Sequence, residues 1–183
     1  MNTPCTLTNL LPADESVLKN DVFLILLYAN RVPPHLAVSV NGKLFTLTVK
    51  GATVDGELGG LLKLVRRNRI ETVFIRLSVP PLFTLEQLRG EIKKYTLAYP
   101  RVDVGIATCL TPIKDFCHSV YETETGKINF VFELLPRLME QHVTGACYHM
   151  NMESYIRQDA FALRTYTMNE IYEGIRAVNT IAV

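Results

Sequence analysis

Residues 35 to 50 show the clearest pattern of apolar and polar positions in the chain, because two alternating segments flank the dipeptide Asn41-Gly42. Alternation with a period of two is typical of a half-buried strand, and Asn-Gly readily adopts the positive φ angles of a type I′ turn. The pattern therefore predicts a β-hairpin whose strands are joined by a two-residue turn.

The predicted hairpin register decides which side chains share a face of the sheet. Counting outward from the turn pairs His35 with Thr48, and successive side chains point to opposite faces. One face is apolar and contains Leu36, Val38, Val40, Phe45 and Leu47. The other face is small and polar and contains His35, Ala37, Ser39, Thr46 and Thr48. We predict that this second face lines a functional site.

The remaining segments predict a mixture of strands and helices. Short apolar runs predict strands over residues 21 to 29, 71 to 79 and 102 to 108. Apolar residues at helical spacing predict helices over residues 57 to 67, 85 to 98 and 168 to 178. Residues 51 to 55 have the composition of a loop, and the pattern from residue 127 onward is mainly helical. This order favours an α+β fold in which helices flank a small antiparallel sheet containing the hairpin.

The length and charge of the chain favour one ordinary domain. A chain of 183 residues is within the range that one hydrophobic core serves. We divide it into a leader (1 to 20), a core (21 to 120) and a mainly helical extension (121 to 183). The net charge of +1 does not favour nucleic acid as a partner.

Neither a membrane span nor an export signal is expected. The longest apolar run, residues 22 to 29, is far shorter than the ~20 residues that a helix needs to cross a bilayer. The N-terminus has no basic region ahead of an apolar stretch. We therefore expect a cytoplasmic protein whose four cysteines are reduced thiols, and the sequence does not indicate an oligomeric state.

Cys109 has the surroundings expected of a reactive thiol. It lies between the predicted strand at 102 to 108 and a helix whose start is indicated by Thr111-Pro112. The positive end of a helix and a nearby imidazole both stabilise a thiolate and lower the thiol pKa. Cys109 is therefore the predicted nucleophile.

His35 is the predicted base for that nucleophile. It is the only one of the four histidines that begins a strand whose face also displays hydroxyl side chains. Thr46 or Thr48 would orient its ring, and the backbone N–H groups of Cys109 and Leu110 would stabilise an oxyanion.

These residues follow the order seen in one known family. The segment DVFLILLYANRVPPHLAVSVNGKLFTL, from Asp21, and the later ATCLTPIKDF resemble the circularly permuted branch of the NlpC-like, papain-fold cysteine peptidases, which includes the lecithin:retinol acyltransferase relatives. The resemblance covers residues 20 to 120 and places Asp21, His35 and Cys109 in the family's order. It implies a permuted papain-like fold and a thioester intermediate. The implied reaction is hydrolysis of an amide or ester, or acyl transfer, on a small-molecule, peptide or lipid-ester substrate.

The chain departs from the family at the residue that orients the imidazole. In the family this group is usually a second His, Asn or Gln, whereas here only threonines occupy the following strand. The alternative is a catalytically inactive binding or interaction module that uses the same cleft. In this alternative Cys109 is a small core residue and His35 a surface residue.

Other clusters of chemically active residues favour structural roles. Cys117 and His118 are neighbours on a predicted helix and point in different directions, so we assign Cys117 to the core. No metal is expected, because His142, Cys147 and His149 lack a fourth ligand and a zinc-site spacing. The basic run at residues 63 to 69 is expected to be a solvated helix face, and no glycine motif for a nucleotide cofactor is present.

Overall fold

Short apolar runs form a seven-stranded sheet, and amphipathic helices cover both of its faces. The computed structural model describes residues 4–181 and has an α+β fold. The strands are β1 (Thr6–Leu7), β2 (Leu11–Pro12), β3 (Val22–Leu27), β4 (His35–Val40), β5 (Lys43–Thr48), β6 (Gly51–Glu57), β7 (Thr72–Leu77), β8 (Thr144–Met150) and β9 (Phe161–Ala162). The helices are α1 (Glu15–Leu18), α2 (Leu58–Asn68), α3 (Leu85–Leu97), α4 (Thr111–Tyr121), α5 (Val131–Glu140) and α6 (Met168–Ile181).

The strand order of the large sheet is β2-β8-β7-β3-β4-β5-β6. Neighbouring strands are antiparallel except for the parallel pair β2 and β8, while β1 and β9 form a separate antiparallel pair. The sheet is therefore larger than predicted and not wholly antiparallel. Within residues 4–181, no helix combines the length and the apolar character that a membrane crossing needs.

Near the turn the hairpin forms in the predicted register, but its ladder ends at Val38 and Phe45, so the predicted pair of His35 with Thr48 is not part of it. Val40 pairs with Lys43, Ser39 with Leu44 and Val38 with Phe45. Asn41 and Gly42 have φ angles of 48° and 77°, which a type I′ turn requires. The predicted strands at 21 to 29 and 71 to 79 and the three predicted helices also form, as β3, β7, α2, α3 and α6.

The two faces of the sheet are covered by different helices. The predicted apolar face of the hairpin lies in the larger core, which also contains Leu88, Ile92, Ile113, Phe116, Leu134, Leu138, Ile171 and Ile175 from α3 to α6. Ala37, on the other face, packs in a second cluster with Leu58, Leu62 and Val65 of α2. Ala37 and Ser39 are fully buried. The prediction that this whole second face lines a site is therefore wrong, because helix α2 belongs to the core that covers it.

Residues 51 to 55 belong to a strand, contrary to the predicted loop. They begin β6, which pairs with β5 through contacts such as Thr46 with Thr53, and a register shift follows near Leu44. The free edge of β5 supplies backbone hydrogen-bond partners, so sheet context overrides the loop-like composition.

Residues 102 to 108 do not form the predicted strand. The segment closes on itself through an isolated bridge between Asp103 and Ala107, with Gly105 at a φ of 74°. Its alternating apolar residues reflect a turn packed on the core instead of a paired strand. Cys109 therefore follows a compact turn.

The two ends of the described chain contribute strands that were not predicted. Within the predicted leader, β1 and α1 form and β2 pairs with β8. Within the predicted helical extension, β8 joins the large sheet beside β7, and Pro136 lies inside α5 without ending it. These segments take their conformation from distant partners, which local periodicity does not reveal.

Replacing glycine with alanine should have opposite effects on the free energy of unfolding at Gly42 and at Gly90. At Gly42, φ is +77° and an added Cβ would lie 3.3 Å from the Lys19 carbonyl oxygen. Gly42→Ala should therefore lower the free energy of unfolding by about 1 to 2 kcal/mol. At Gly90, inside α3, the added Cβ meets open space, so Gly90→Ala should raise that free energy by about 0.5 to 1 kcal/mol. Urea denaturation measures both changes, and effects of the same sign would contradict this account.

Candidate functional site

A cavity of about 530 Å³ opens at the end of the sheet where β4 begins. Its walls come from the loop before β4, from the turn that contains Cys109 and from α6. Most wall side chains are apolar, among them Val32, Val49, Val102, Leu110, Ile171 and Ile175. Cys109 and His35 both line the cavity, and so does Thr48. The fold thus brings the two predicted reactive side chains to one cavity.

The Cys109 thiol is held by backbone N–H groups just before α4. Leu110 is the N-cap residue of α4, so the first helical residue follows Cys109 by two positions. The sulfur accepts hydrogen bonds from the N–H groups of Leu36, Cys109 and Leu110. These contacts favour the thiolate, but burial of the sulfur outweighs them and raises the pKa of Cys109 to about 11. The predicted lowering of this pKa is therefore wrong, because the sulfur is desolvated and lies outside the first helical turn.

The His35 ring is fixed by Thr46. The distance between His35 Nε2 and Thr46 Oγ1 is 2.9 Å, and Thr46 Oγ1 donates to the Leu36 carbonyl oxygen at 2.9 Å. A hydroxyl has a single proton, and here Leu36 accepts it. His35 must therefore donate its Nε2–H to Thr46, which leaves the lone pair on Nδ1. Burial lowers the pKa of His35, so the ring is neutral at pH 7.

Thr48 does not have the ring contact that the register suggested. Its Oγ1 donates to the Gly51 carbonyl oxygen at 3.1 Å and accepts from the Lys50 N–H at 3.2 Å. Both contacts belong to the turn between β5 and β6. Of the two threonines predicted to orient His35, Thr46 is thus the one that contacts it.

The peptide groups of Leu36 connect the two predicted reactive residues. The Leu36 N–H donates to the Cys109 sulfur, while the Leu36 carbonyl accepts from Thr46. Leu36 directly follows His35, so the sulfur lies one peptide unit from the base of the His35 side chain. Both reactive side chains are therefore positioned by one short stretch of β4.

Tyr166 is a cavity residue that the sequence did not indicate. Its ring makes edge-to-face contacts with Phe130 at 5.4 Å and Phe132 at 5.1 Å between centroids. Its hydroxyl accepts from the Val131 N–H at the start of α5, and burial together with nearby Cys109 raises its pKa. Tyr166 lies between β9 and α6 in irregular structure, where no periodicity could have marked it.

The other clusters considered from sequence lie elsewhere. Cys117 is fully buried in the larger core, as predicted, and His118 Nδ1 bonds the Thr123 carbonyl at 3.0 Å. His149 is buried on β8, and its Nδ1 has no hydrogen-bond partner among the described residues. Within residues 4–181, no three His, Cys, Asp or Glu side chains are grouped so as to hold a metal ion.

Comparisons of the chain with protein-family models, with curated proteins and with solved structures find no match. The functional conclusion therefore depends on the geometry of the cavity and on the chemistry of its side chains.

Proposed function

We propose that the chain is a thiol-dependent hydrolase or acyltransferase that acts on an amide or ester, with Cys109 as nucleophile and His35 as base. The observation that best supports this proposal is the hydrogen-bond chain from His35 Nε2 through Thr46 Oγ1 to the Leu36 carbonyl, from which the tautomer of His35 follows. Because Thr46 accepts the Nε2–H, the basic nitrogen is Nδ1, on a ring that lines the same cavity as the thiol. The substrate would be a small molecule, a peptide or a lipid ester.

The raised pKa of Cys109 determines the order of proton transfer. With a pKa of about 11 the resting thiol is protonated at pH 7. The sulfur must therefore lose its proton as it attacks, and a neutral imidazole is the form that can accept it. The lowered pKa of His35 keeps the ring in that form.

The reaction then proceeds in two halves. As the Cys109 sulfur bonds to the carbonyl carbon, its proton moves to His35 Nδ1, and the N–H groups of Cys109 and Leu110 turn from the sulfur to the new oxyanion. Collapse of the tetrahedral species breaks the C–N or C–O bond, and His35 protonates the leaving group. Water or an acceptor alcohol or amine then attacks the thioester, giving its proton to His35, which returns it to the sulfur.

The same proposal covers family and compartment. The order of His35, hairpin and Cys109 supports a permuted papain-like relationship of the NlpC-like kind. A nucleophile that must remain a free thiol is suited to a reducing compartment, so we propose a cytoplasmic location.

Acyl transfer to the protein tests this proposal directly. Purified protein is mixed with a panel of activated esters and amides, and the acylated residue is located by mass spectrometry. We expect an acyl group on Cys109 that hydroxylamine removes, and no such adduct in Cys109→Ser. His35→Gln should slow acylation by about 100-fold or more, because the base is lost.

His118→Gln is the matched control, because this histidine bonds the Thr123 carbonyl and does not line the cavity. It should acylate at the rate of the unchanged protein. Acylation that is insensitive to His35→Gln, or that falls on a different cysteine, would refute the dyad.

A binding module that uses the same cavity is the second candidate. It is favoured by the mostly apolar walls and by the protonated state of the half-buried Cys109 thiol at pH 7. Saturable binding of apolar ligands without any acylation of Cys109 would support it over the enzyme.

A further inference from the structure

Arg31 places a positive charge on the wall of the cavity. It lies in the loop between β3 and β4 and lines the cavity together with Tyr28. Its guanidinium carbon lies 4.4 Å from the centroid of the Tyr28 ring, within the range of a cation–π contact. The backbone N–H of Arg31 also donates to the backbone carbonyl of Tyr28, at 2.7 Å. The backbone bond fixes the turn, and the ring contact orients the exposed side chain before any ligand binds.

The described part of the cavity wall contains no opposite charge. Among its lining residues Arg31 is the only Lys or Arg, and none is Asp or Glu. None of the ion pairs formed within residues 4–181 includes Arg31. Among the described residues, the positive charge of Arg31 therefore has the Tyr28 ring beside it and no carboxylate paired with it.

The rest of the wall selects an apolar body for the ligand. Val32 and Pro33, which directly follow Arg31, line the cavity, and so do Ile171, Ile175 and Val178 of α6. Apolar walls with few polar groups typically bind the apolar part of a small ligand and fix its polar part at one place. The planar guanidinium matches the two oxygens of a carboxylate, which it binds with paired hydrogen bonds.

We propose that the cavity binds an amphiphilic carboxylate, whose apolar part packs against α6 and whose carboxylate pairs with Arg31. This names the ligand class of the cavity used in the proposed function and rests on that cavity being the binding site. As substrate, such a compound would present its amide or ester carbonyl to Cys109 while Arg31 holds its carboxylate. Arg31 is thus a specificity-determining residue.

Calorimetric titration with octanoate and with its neutral analogue octanamide tests the charge directly. We expect octanoate to bind about 10-fold more tightly, because only its carboxylate can form paired, charge-assisted hydrogen bonds with Arg31. Arg31→Gln should remove this preference by weakening octanoate about 10-fold and leaving octanamide unchanged. Arg31→Lys should keep part of it, because the charge remains and the fork is lost. Raising the salt concentration should weaken octanoate only.

Arg67→Gln is the control of equal charge change. Arg67 is exposed on α2, whose core-facing side packs on the opposite face of the sheet, so this variant should bind octanoate as the unchanged protein does. Equal affinities for octanoate and octanamide, or octanoate binding unaffected by Arg31→Gln, would overturn the proposal.

Cys109→Ala separates this proposal from that of the enzyme. Octanoate binding that persists in Cys109→Ala, with no acylation of the unchanged protein by any ester, would refute the proposed enzyme and support the carboxylate site. The opposite result is acylation of Cys109 at the same rate in Arg31→Gln and the unchanged protein, with carboxylate-bearing and with neutral esters. It would support the proposed enzyme and refute the carboxylate site.

Discussion

Alkylation of Cys109 by iodoacetamide in the native protein is expected to accelerate about 1000-fold between pH 7 and pH 10. The thiolate is the reactive form, and with a pKa of about 11 its fraction rises about tenfold with each pH unit across this range. A thiol with the ordinary pKa of about 8.5 would gain only about 30-fold and then level off. Mass spectrometry of peptides from pulse-labelled protein gives the rate for each cysteine.

The other cysteines and the unfolded chain provide the controls. Cys117 is fully buried and its pKa is raised to about 12, so it should stay unlabelled in the native protein. In denaturant Cys109 should follow the ordinary thiol curve. A native Cys109 rate that already levels off near pH 8 would mean that a positive charge in the cavity stabilises the thiolate at rest. Proton transfer during attack would then be wrong.

Replacing Thr46 with valine is expected to destabilise the protein by about 2 to 4 kcal/mol. The substitution keeps the shape of the side chain but removes a hydroxyl that accepts from His35 and donates to Leu36. Both hydrogen bonds are partly buried, and each partner left unpaired there costs about 1 to 2 kcal/mol. Acylation of Cys109 should also slow by about 10-fold or more, because the Nε2–H tautomer loses its acceptor. Urea denaturation and the acylation assay measure the two effects.

Thr48→Val is the matched control on the same strand. Its hydroxyl bonds the turn at Lys50 and Gly51, and neither contact touches the imidazole. We expect a loss of about 1 kcal/mol and an unchanged acylation rate. Thr46→Ser should retain most of both properties. Equal acylation rates in Thr46→Val and the unchanged protein would show that the ring does not depend on this hydroxyl.

The hairpin was predictable because its information is local. Asn41-Gly42 specifies the turn and the alternation specifies the faces, so the register followed by counting. The same counting placed Thr48 opposite His35, yet the imidazole bonds Thr46. The difference arises at Leu36, whose N–H bonds the Cys109 sulfur and whose carbonyl accepts from the Thr46 hydroxyl instead of pairing with the backbone of β5.

The rest of the site depends on distant parts of the chain. Tyr166 and Arg31 occupy irregular segments, and only the packing of α6 and of the loop before β4 brings them to the cavity. Strand β8 contains Gly145 and reads locally as an interruption between helices, but β7 and β2 supply its partners. Local composition also predicts a reactive thiolate at Cys109. That prediction fails because the burial that raises the thiol pKa is set by the finished fold, which local sequence does not reveal.

Side-chain substitutions at Leu36 cannot reveal the role of this residue in the site. Its side chain is 1% exposed and packs in the larger core, so substitutions there would be scored as losses of packing. The chemically important atoms of this residue are its amide nitrogen and carbonyl oxygen, which every genetically encoded residue except proline provides alike. A saturation library would therefore rank position 36 with the ordinary core, whereas exchanging its amide for an ester by chemical synthesis would remove the N–H that holds the thiol.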